Sequence, residues 1–308
     1  MQELKMHLKK MSELNYNLLM SNIIIHSKID EKDKQILLQC LQDRDRNYVR
    51  LNDNEQVYEN IKKYLSLLRP LALPFENLVR VGGFNDGGYV MFNALSAGGG
   101  GGGVALTLGV SEFSPWDLEM ANLGFKVVEY DGSIEKCPYN HPNIIFNKLF
   151  VGATNDENII TLNEALRKND FDKTKNNILQ CDIENCEWEM LENIDISLLS
   201  EYFSQVIFEF HGMNPEERDG FALRSELLSR LNEHFVPIHT HLNNHGKIFY
   251  SKGLFFSTTL EVSYLRKDLA KPYLSFGYRD EGNLMGFDSP TFLPNPEIPL
   301  RFVRESNG

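Results

Sequence analysis

The sequence predicts an α/β protein in which a mostly parallel sheet flanked by helices follows an N-terminal helical region. From residue 78 onward, short apolar runs of strand length alternate with stretches of helical spacing, which is typical of βαβ units. Before residue 71, the apolar residues recur mainly at helical spacings of three and four. With 308 residues, the chain has the length of one large domain or of a domain with an added region.

The composition is that of a globular protein that can bury a core, with 42% hydrophobic and 24% charged residues. No apolar run approaches the roughly 20 residues of a membrane helix, so we expect no membrane insertion. The net charge of -12 would repel a phosphate backbone and argues against nucleic acid as a partner. The N-terminus lacks the apolar core of a signal peptide, and the four cysteines form no zinc-like pairs. We therefore expect a cytoplasmic protein with reduced thiols.

Residues 1–70 form the predicted helical region. Asp30 begins a second helical segment and Asn54 a third, which ends at Pro70 because proline cannot continue a helix. We expect these apolar stripes to pack against the protein's own domain, and the alternative is a homo-oligomer through the N-terminal helices. The first stripe consists of Leu4, Leu8, Met11, Leu14 and Leu18.

The central region, residues 71–265, alternates predicted strands and helices and is followed by a C-terminal extension, residues 266–308. Because ligands bind beyond the carboxyl ends of the strands in such sheets, functional residues are expected there. The predicted strands are Val104–Val110, Lys126–Tyr130, Ile144–Phe146, Asn177–Cys181 and Gln205–Phe210. The predicted helices are Phe113–Leu123, Leu162–Lys168 and Glu187–Leu191.

Glycines mark two loops ahead of these strands. The run from Gly98 to Gly103 leads into a strand and not into a helix N-terminus, so we interpret it as a flexible surface loop and not as a phosphate site. The segment from Arg80 to Tyr89 contains four glycines and a predicted turn at Asp86. It is either a simple hairpin or a lid that brings Arg80 or Asp86 to a ligand.

The first two predicted strands end in a pair of residues suited to a nucleoside. Gly109 ends the first strand, where a small residue lets a ligand approach the sheet. Asp131 ends the second, and a carboxylate there can accept hydrogen bonds from both ribose hydroxyls. The alternative is that Asp131 only caps the turn that Gly132 continues.

The ends of the next two strands carry a stronger set. Asp182 follows one strand, and Glu209 and His211 close the next on the same strand face, because side chains alternate with a period of two. Two carboxylates and an imidazole suit a divalent metal, with Fe(II), Mn(II) or Zn favoured over Mg by the nitrogen ligand. An acid/base cluster without metal, or ordinary polar strand ends, are the alternatives.

Three of the eight histidines lie together in His239-Thr-His241-Leu-Asn243-Asn244-His245. An extended segment would place His239 and His241 on one face and start a turn near His245. We prefer His241 as a fourth metal ligand or as a general base, although spacing alone does not choose it over His239.

These motifs together resemble class I S-adenosylmethionine-dependent methyltransferases. More narrowly, they are similar to the FkbM-like and related sugar O-methyltransferases of bacterial capsule and surface-polysaccharide clusters, including those that act on GDP-linked heptoses. The resemblance covers roughly residues 78–265, and its most specific parts are Asp-Ile-Glu-x-x-Glu-Trp-Glu, from Asp182 to Glu189, and His-x-Asn-Asn, from His241 to Asn244.

The resemblance implies that residues 71–265 form a methyltransferase domain with a seven-stranded Rossmann-like sheet. S-adenosylmethionine would lie over Gly109 with its ribose on Asp131, and Asp86 and Arg80 would be further cofactor contacts. The acceptor would be a nucleotide-linked sugar, with GDP-heptose expected. The implied metal ligands are Asp182, Glu209 and His211, with His241 added, and the implied catalytic residues are His211, His241 and Asp182.

The sequence departs from the family pattern at two places. The usual Asp-x-Glu-Gly is Asp182-Ile-Glu184-Asn185, and the glycine-rich turn after the first strand is reduced to Gly109. Three alternatives stay open. They are a metal-independent methyltransferase with a histidine base, a nucleotide-sugar oxidoreductase or epimerase on the same sheet, and a helical scaffold protein that binds a partner through residues 1–70. The missing three-glycine turn counts against the oxidoreductase.

Overall fold

The computed structural model describes residues 1–41, 49–94, 103–169 and 171–303. The helices are α1 (Gln2–His26), α2 (Glu31–Cys40), α3 (Glu55–Leu67), α4 (Pro115–Asn122), α5 (Leu162–Lys168), α6 (Cys186–Asn193), α7 (Ile196–Tyr202), α8 (Arg218–His234) and α9 (Lys267–Ala270). The strands are β1 (Val49–Leu51), β2 (Leu78–Val81), β3 (Tyr89–Phe92), β4 (Val104–Leu108), β5 (Lys126–Tyr130), β6 (Ile144–Asn147), β7 (Phe150–Val151), β8 (Ile159–Ile160), β9 (Ile178–Cys181), β10 (Gln205–Phe210), β11 (Phe235–Leu242), β12 (Ile248–Ser251), β13 (Leu254–Ser257) and β14 (Leu260–Arg266).

The centre of the fold is a seven-stranded sheet with the order β11-β14-β10-β9-β4-β5-β6. The neighbouring strands from β10 to β6 pair in parallel, and β14 runs antiparallel to both β10 and β11. The prediction of a mostly parallel α/β sheet flanked by helices is confirmed. Strands β4, β9, β10 and β11 are buried along their whole length because helices cover the sheet.

The strand order reverses between β4 and β9, which are adjacent in the sheet although β5 to β8 lie between them in the chain. The loops after these two strands diverge to opposite sides, and they leave a crevice at the carboxyl ends of the strands. Gly109 follows β4, and Asp182 follows β9.

The N-terminal region departs from its predicted form in two ways. Residues 49–51 form the strand β1, which pairs in parallel with β12 and was not predicted. The second and third helices bury their apolar faces as predicted, starting at the Asp30 and Asn54 caps. The prediction was wrong for the stripe of α1, because Leu4, Leu8, Met11, Leu14 and Leu18 are all exposed.

The C-terminal extension packs on the sheet and is not a separate appendage. Its residues 278–301 make isolated bridges from Tyr278 to Leu71 and from Glu281 to Arg301, and Ile298 and Leu300 are buried in the main core. None of the helices within the described ranges is both long and apolar enough to cross a lipid bilayer. The glycine run lies outside the described residues, apart from Gly103.

Candidate functional site

Two cavities meet at the carboxyl ends of the parallel strands. The first, of about 440 Å³, lies over the crevice between β4 and β9. The second, of about 450 Å³, lies beyond the ends of β10 and β11. Asp86, Asp182 and Glu184 line both, so the three carboxylates stand where the cavities join. Each volume is within the range of small-molecule sites.

Gly109 shapes the floor of the first cavity. Its φ of +86° and the approach of the neighbouring chain both require glycine, because a Cβ atom there would lie 1.6 Å from the carbonyl oxygen of Asp182. Its N–H donates to the carbonyl of Tyr130 at 3.0 Å. The β4 turn is therefore held tightly between the ends of β5 and β9, and its backbone forms the cavity wall.

Asp131 lies in the first cavity and also organises a turn. Its Oδ1 accepts from the N–H and hydroxyl of Ser133, both at 2.6 Å, and from the N–H of Ile134 at 3.3 Å. Within the described residues, its Oδ2 accepts one hydrogen bond, from the N–H of Val110 at 3.0 Å. A carboxylate oxygen has two lone-pair sites, so Oδ2 keeps one for a ligand hydroxyl. The turn-capping and ligand-binding interpretations of Asp131 are thus compatible.

The hairpin of β2 and β3 brings one of its two candidate residues to the site. Asp86 lines both cavities from the loop between these strands. Arg80 lines neither cavity. Its guanidinium donates to the carbonyls of Gly83, Asn85 and Phe287 at 2.5 to 3.0 Å, so it fixes the loop to the C-terminal extension.

The open cluster, as we name it, is the group of Asp182, Glu184, Glu187, Glu209 and His211 at the junction of the cavities. The Nε2 atom of His211 lies 3.8 Å from Asp182 Oδ1, 3.6 Å from Glu184 Oε2 and 3.7 Å from Glu209 Oε1. These separations are too long for hydrogen bonds. Ligand atoms of Asp182, Glu184 and His211 all lie within 4.8 Å of one another, an arrangement that can hold a metal ion.

Glu187 orients His211 within this cluster. It is fully buried in the first turn of α6, and its Oε1 accepts from the N–H of Ile183 at 3.0 Å and lies 3.1 Å from His211 Nδ1. Metal-binding histidines usually hold their second nitrogen in this way, because the carboxylate fixes the tautomer and the ring orientation. The spacing of the sequence did not predict this role of Glu187.

One carboxylate oxygen of Asp182, Oδ1, is buried and makes no hydrogen bond within the described part of the chain. Burial raises the pKa of Asp182 to about 7, against the opposing charge of His211. Burial also raises the pKa of Glu209 well above its ordinary value, and the nearby Asp182 charge adds to the effect. Carboxylates arranged at this cost are characteristic of functional sites.

A strained turn carries Glu184 into the junction. Glu184 and Asn185 have φ angles of +54° and +81°, which non-glycine residues seldom adopt. Asn185 stands where the Asp-x-Glu-Gly pattern has glycine, and asparagine is among the few residues that tolerate this conformation. The departure from the Asp-x-Glu-Gly pattern therefore keeps the backbone geometry that glycine would provide.

The closed cluster, as we name it, consists of His239, His241, Glu261, Asp288 and Glu297. His241 was predicted as a ligand or base, but it lines neither cavity, and both of its nitrogens are engaged. Its Nδ1 lies 3.2 Å from Glu261 Oε2, and its Nε2 lies 2.8 Å from Glu297 Oε1. Burial alone would lower the pKa of His241, but the two carboxylates raise it well above its ordinary value.

His239 is held in the same manner. Its Nε2 lies 3.0 Å from Asp288 Oδ1, and Asp288 also accepts from the N–H of Leu284 at 2.6 Å. Glu297 and Asp288 both belong to the C-terminal extension, so the two histidines of β11 anchor that extension to the sheet. The assignment of His241 to the metal shell is therefore corrected, since no nitrogen is left to bind an ion.

His245 is the histidine of this segment that reaches a cavity. It lines the second cavity and stacks on Phe292 of the extension, with ring centroids 4.7 Å apart. The turn that carries it is fixed by Asn243, which donates to Glu209 at 2.9 Å and accepts the N–H of His245 at 2.8 Å. Asn244 bonds the carbonyls of Phe292, Asn295 and Pro296. The His-x-Asn-Asn motif therefore joins the open cluster to the wall of the second cavity.

Comparison of the chain with models of known protein families gives no match, and comparison with curated proteins gives none either.

Proposed function

We propose that this protein is a metal-assisted, S-adenosylmethionine-dependent O-methyltransferase. Its expected acceptor is a hydroxyl of a nucleotide-linked sugar, with GDP-heptose expected, in the synthesis of a capsular or surface polysaccharide. The observation that carries the proposal is the meeting of two cavities at the open cluster. A methyl donor in one cavity and an acceptor in the other would face each other across Asp86, Asp182 and Glu184. Proximity of this kind is a major source of catalysis in group transfer.

The sheet supports the same proposal. Numbered by their order in the chain, the seven strands run 3-2-1-4-5-7-6, which is the dinucleotide-binding order 3-2-1-4-5-6 with one antiparallel strand inserted. The first cavity lies over the reversal point of this order, where such sheets bind nucleotides. A Rossmann-like methyltransferase sheet is thus the interpretation that we propose.

The residues of the open cluster fit a divalent metal ion. Asp182 Oδ1 has no hydrogen bond in the described chain, and Glu187 holds His211 with Nε2 directed at the carboxylates. Asp182, Glu184 and His211 would hold the ion, with Glu209 beside them. A divalent ion there would lower the pKa of an acceptor hydroxyl, and the imidazole ligand favours Fe(II) or Mn(II) over Mg.

The first cavity fits S-adenosylmethionine, which supplies a methyl group already activated on a sulfonium. Gly109 lets the cofactor approach the backbone, and Asp131 Oδ2 has a site for a ribose hydroxyl. The carboxylates of Asp86, Asp182 and Glu184 favour the positive sulfonium at the far end. These contacts would align the methyl group with the second cavity.

The second cavity fits a sugar ring better than a phosphate group. The described residues that line it carry the acids Asp86, Asp182, Glu184 and Glu209 but no lysine or arginine. Hydroxyl groups can donate to these carboxylates, whereas a diphosphate would be repelled and would lie outside the cavity. His245 also lines this cavity, and because His211 belongs to the proposed metal site, His245 is the imidazole there that we expect to accept the hydroxyl proton.

A metal-independent methyltransferase is the second candidate, and His245 is the observation that favours it. This imidazole lines the second cavity beside the acids and has a stacked aromatic partner. The stacking of its ring on Phe292 would hold the base in place without any ion. Removal of metal separates the two candidates.

Incubation with S-adenosylmethionine and a panel of nucleotide sugars, followed by mass spectrometry, tests the proposal. We expect one methyl group on one hydroxyl, loss of turnover after chelation and recovery with Fe(II) or Mn(II). Full turnover of metal-stripped enzyme, checked by elemental analysis, would favour the histidine-base candidate. No methyl transfer to any sugar, together with no binding of S-adenosylmethionine by calorimetry, would refute the methyltransferase.

Asp131→Asn tests the cofactor contact separately. The amide can keep the turn bonds through its oxygen, but its nitrogen cannot accept from Val110 or from a ribose hydroxyl. We expect S-adenosylmethionine to bind about 10-fold more weakly or worse, since hydrogen bonds to a charged acceptor contribute about 1.5–3 kcal/mol each. Asp156→Asn is the control, because Asp156 also caps a turn but lines neither cavity. Equal affinities would remove Asp131 from the site.

A further inference from the structure

Helix α1 has two faces, and only one of them contacts the rest of the protein. Tyr16 donates its hydroxyl to Val49 at 2.7 Å, Asn17 donates to Leu41 at 3.1 Å, and Met20 and Ile24 are buried. These residues lie on one side of the second half of the helix. Every residue from Met1 to Ser12 is exposed, so the first half projects from the body.

The opposite face follows a heptad pattern along the whole helix. With Leu8 as position a, the a and d positions extend over the 25 residues, about three and a half heptads, which is the length at which such a pattern indicates a coiled coil. All of these seam positions are exposed. The a positions are Met1, Leu8, Asn15 and Asn22, and the d positions are Leu4, Met11, Leu18 and Ile25.

We propose that α1 forms a parallel, in-register coiled coil with α1 of a second copy of this chain. In that arrangement each Asn15 and each Asn22 meets its own counterpart, and an asparagine pair at position a fixes register and favours two strands. The flanking g position of one helix then contacts the next e position of the other. Leu14 at g meets Leu19 at e, two leucines that are 43% and 59% exposed in the single chain.

The flanking charges and the apolar area suit this pairing. The other facing pairs are His7 with Ser12 and Ser21 with His26, so no two acids or lysines are brought together. Burying the exposed parts of the seam and of the two leucines removes on the order of 1,000 Å² of apolar surface across both helices. A standard interface buries about 1,200–2,000 Å² in total, a little over half of it apolar.

The seam lies on the face of α1 that does not contact the rest of the chain. Pairing through it would double the mass in solution, which tests the proposal directly. Light scattering and sedimentation of the full chain should give a dimer. Leu8→Glu should raise the dissociation constant at least about 100-fold, since it opposes two buried charges. Met6→Glu is the matched control, because Met6 is 50% exposed and off the seam, and it should leave the dimer intact.

A monomer at all concentrations would overturn the proposal, as would a dimer that both variants leave equally stable. A trimer or tetramer would overturn the two-stranded arrangement. Co-sedimentation with vesicles of phosphatidylcholine and phosphatidylglycerol tests whether a lipid surface, and not a second copy of the chain, covers this face of α1. Binding of a monomeric chain to them through Leu8 would mean that the helix contacts lipid and would refute the coiled coil.

Orientation is tested by cross-linking. Leu4→Cys, in a Cys186→Ser background because Cys186 is exposed, should form an intermolecular disulfide under mild oxidation. An antiparallel pair would separate the two residues at position 4 by on the order of 30 Å, far beyond disulfide reach. Met6→Cys, off the seam, should cross-link much more slowly. Equal rates at the two positions would show collisional oxidation and overturn the parallel seam.

Discussion

The open and closed clusters lie close together and use the same residue types, but they differ in whether their central imidazole keeps a nitrogen without a hydrogen bond. Both nitrogens of His241 are within 3.2 Å of a carboxylate oxygen of Glu261 or Glu297. In the open cluster, one nitrogen of His211 is bonded and the other stands 3.6 to 3.8 Å from three carboxylates. The first arrangement leaves no nitrogen of His241 for an ion, and the second leaves Nε2 of His211 for one.

The difference also follows access to the cavities. The open cluster lines both cavities, whereas His241 is 1% exposed and lines neither. A buried ion-pair network fixes structure, and here it fastens the C-terminal extension over β11. Residue types therefore do not distinguish a ligand set from a structural set in this protein. The two sets differ in the nitrogen of His211 that makes no hydrogen bond and in access to the cavities.

The largest effect on stability is expected for His241→Ala. The change leaves the buried carboxylate of Glu261 and the half-buried carboxylate of Glu297 without their cationic partner, and we expect the free energy of unfolding to fall by about 3–5 kcal/mol. His211→Ala should cost less, about 1–3 kcal/mol, since Glu187 keeps its bond from the N–H of Ile183, and Asp182 and Glu184 still line the cavities. Denaturant unfolding in the presence of a chelator measures both.

Equal costs for the two substitutions would break the distinction between the clusters. We also expect the C-terminal extension of His241→Ala to unfold before the rest of the chain on heating. Limited proteolysis at rising temperature measures this, because His241→Ala should be cleaved after residue 277 while His211→Ala remains resistant.

The next largest effect is expected in metal affinity. His211→Ala removes the nitrogen donor, and we expect Mn(II) to bind on the order of 100-fold more weakly or worse, more than the 10–100-fold that outer-shell changes cause. His245→Ala should bind Mn(II) as the unchanged protein does and lose turnover instead. Calorimetric titration of both variants measures this. Unchanged affinity in His211→Ala would remove the metal from the open cluster.

A smaller effect is expected for Glu187→Gln. The amide still fits beside His211 but no longer holds it by charge, so Mn(II) affinity should fall about 10- to 100-fold. Glu189→Gln is the matched control on the same helix, because Glu189 is exposed and, within the described residues, its side chain makes no hydrogen bond or ion pair to the open cluster. If the two variants bind Mn(II) equally well, Glu187 has no role in orienting the ligand.

The sequence predicted the parts of the site that depend on strand periodicity. Asp182, Glu209 and His211 converge as expected because they end adjacent strands, and a period of two fixes the face of each side chain. Gly109 and Asp131 reach one cavity for the same reason. Five of the seven strands of the sheet followed from the alternation of apolar runs, with boundaries close to the observed ones, whereas β11 and β14 were not predicted.

What the sequence could not predict depends on contacts distant in the chain or on backbone turns. His241 was misplaced because its partner Glu297 lies 56 positions later, in an extension without helical or strand periodicity. Glu184 and His245 reach the cavities through turns, whose geometry a spacing rule does not define. The stripe of α1 was misjudged because an apolar helix face has the same spacing whether its own domain or another chain covers it.

The smallest effect is the pH dependence that His241 contributes from the closed cluster. Unfolded histidine titrates near a pKa of about 6.5, whereas the carboxylates keep His241 protonated in the folded state well above that. The stability it contributes is therefore complete below about pH 6.5 and is lost as the pH rises through the folded pKa, by at most about 1.4 kcal/mol per pH unit. Denaturant unfolding from pH 6 to 9 should show this slope in the unchanged protein and a shallower one in His241→Gln. Thr240→Val, which removes a buried hydroxyl bond to Leu68 in the same strand but no titrating group, should lower stability and keep the slope. A slope that persists unchanged in His241→Gln would mean that other groups carry the pH dependence and that the closed cluster is not an ion-pair network.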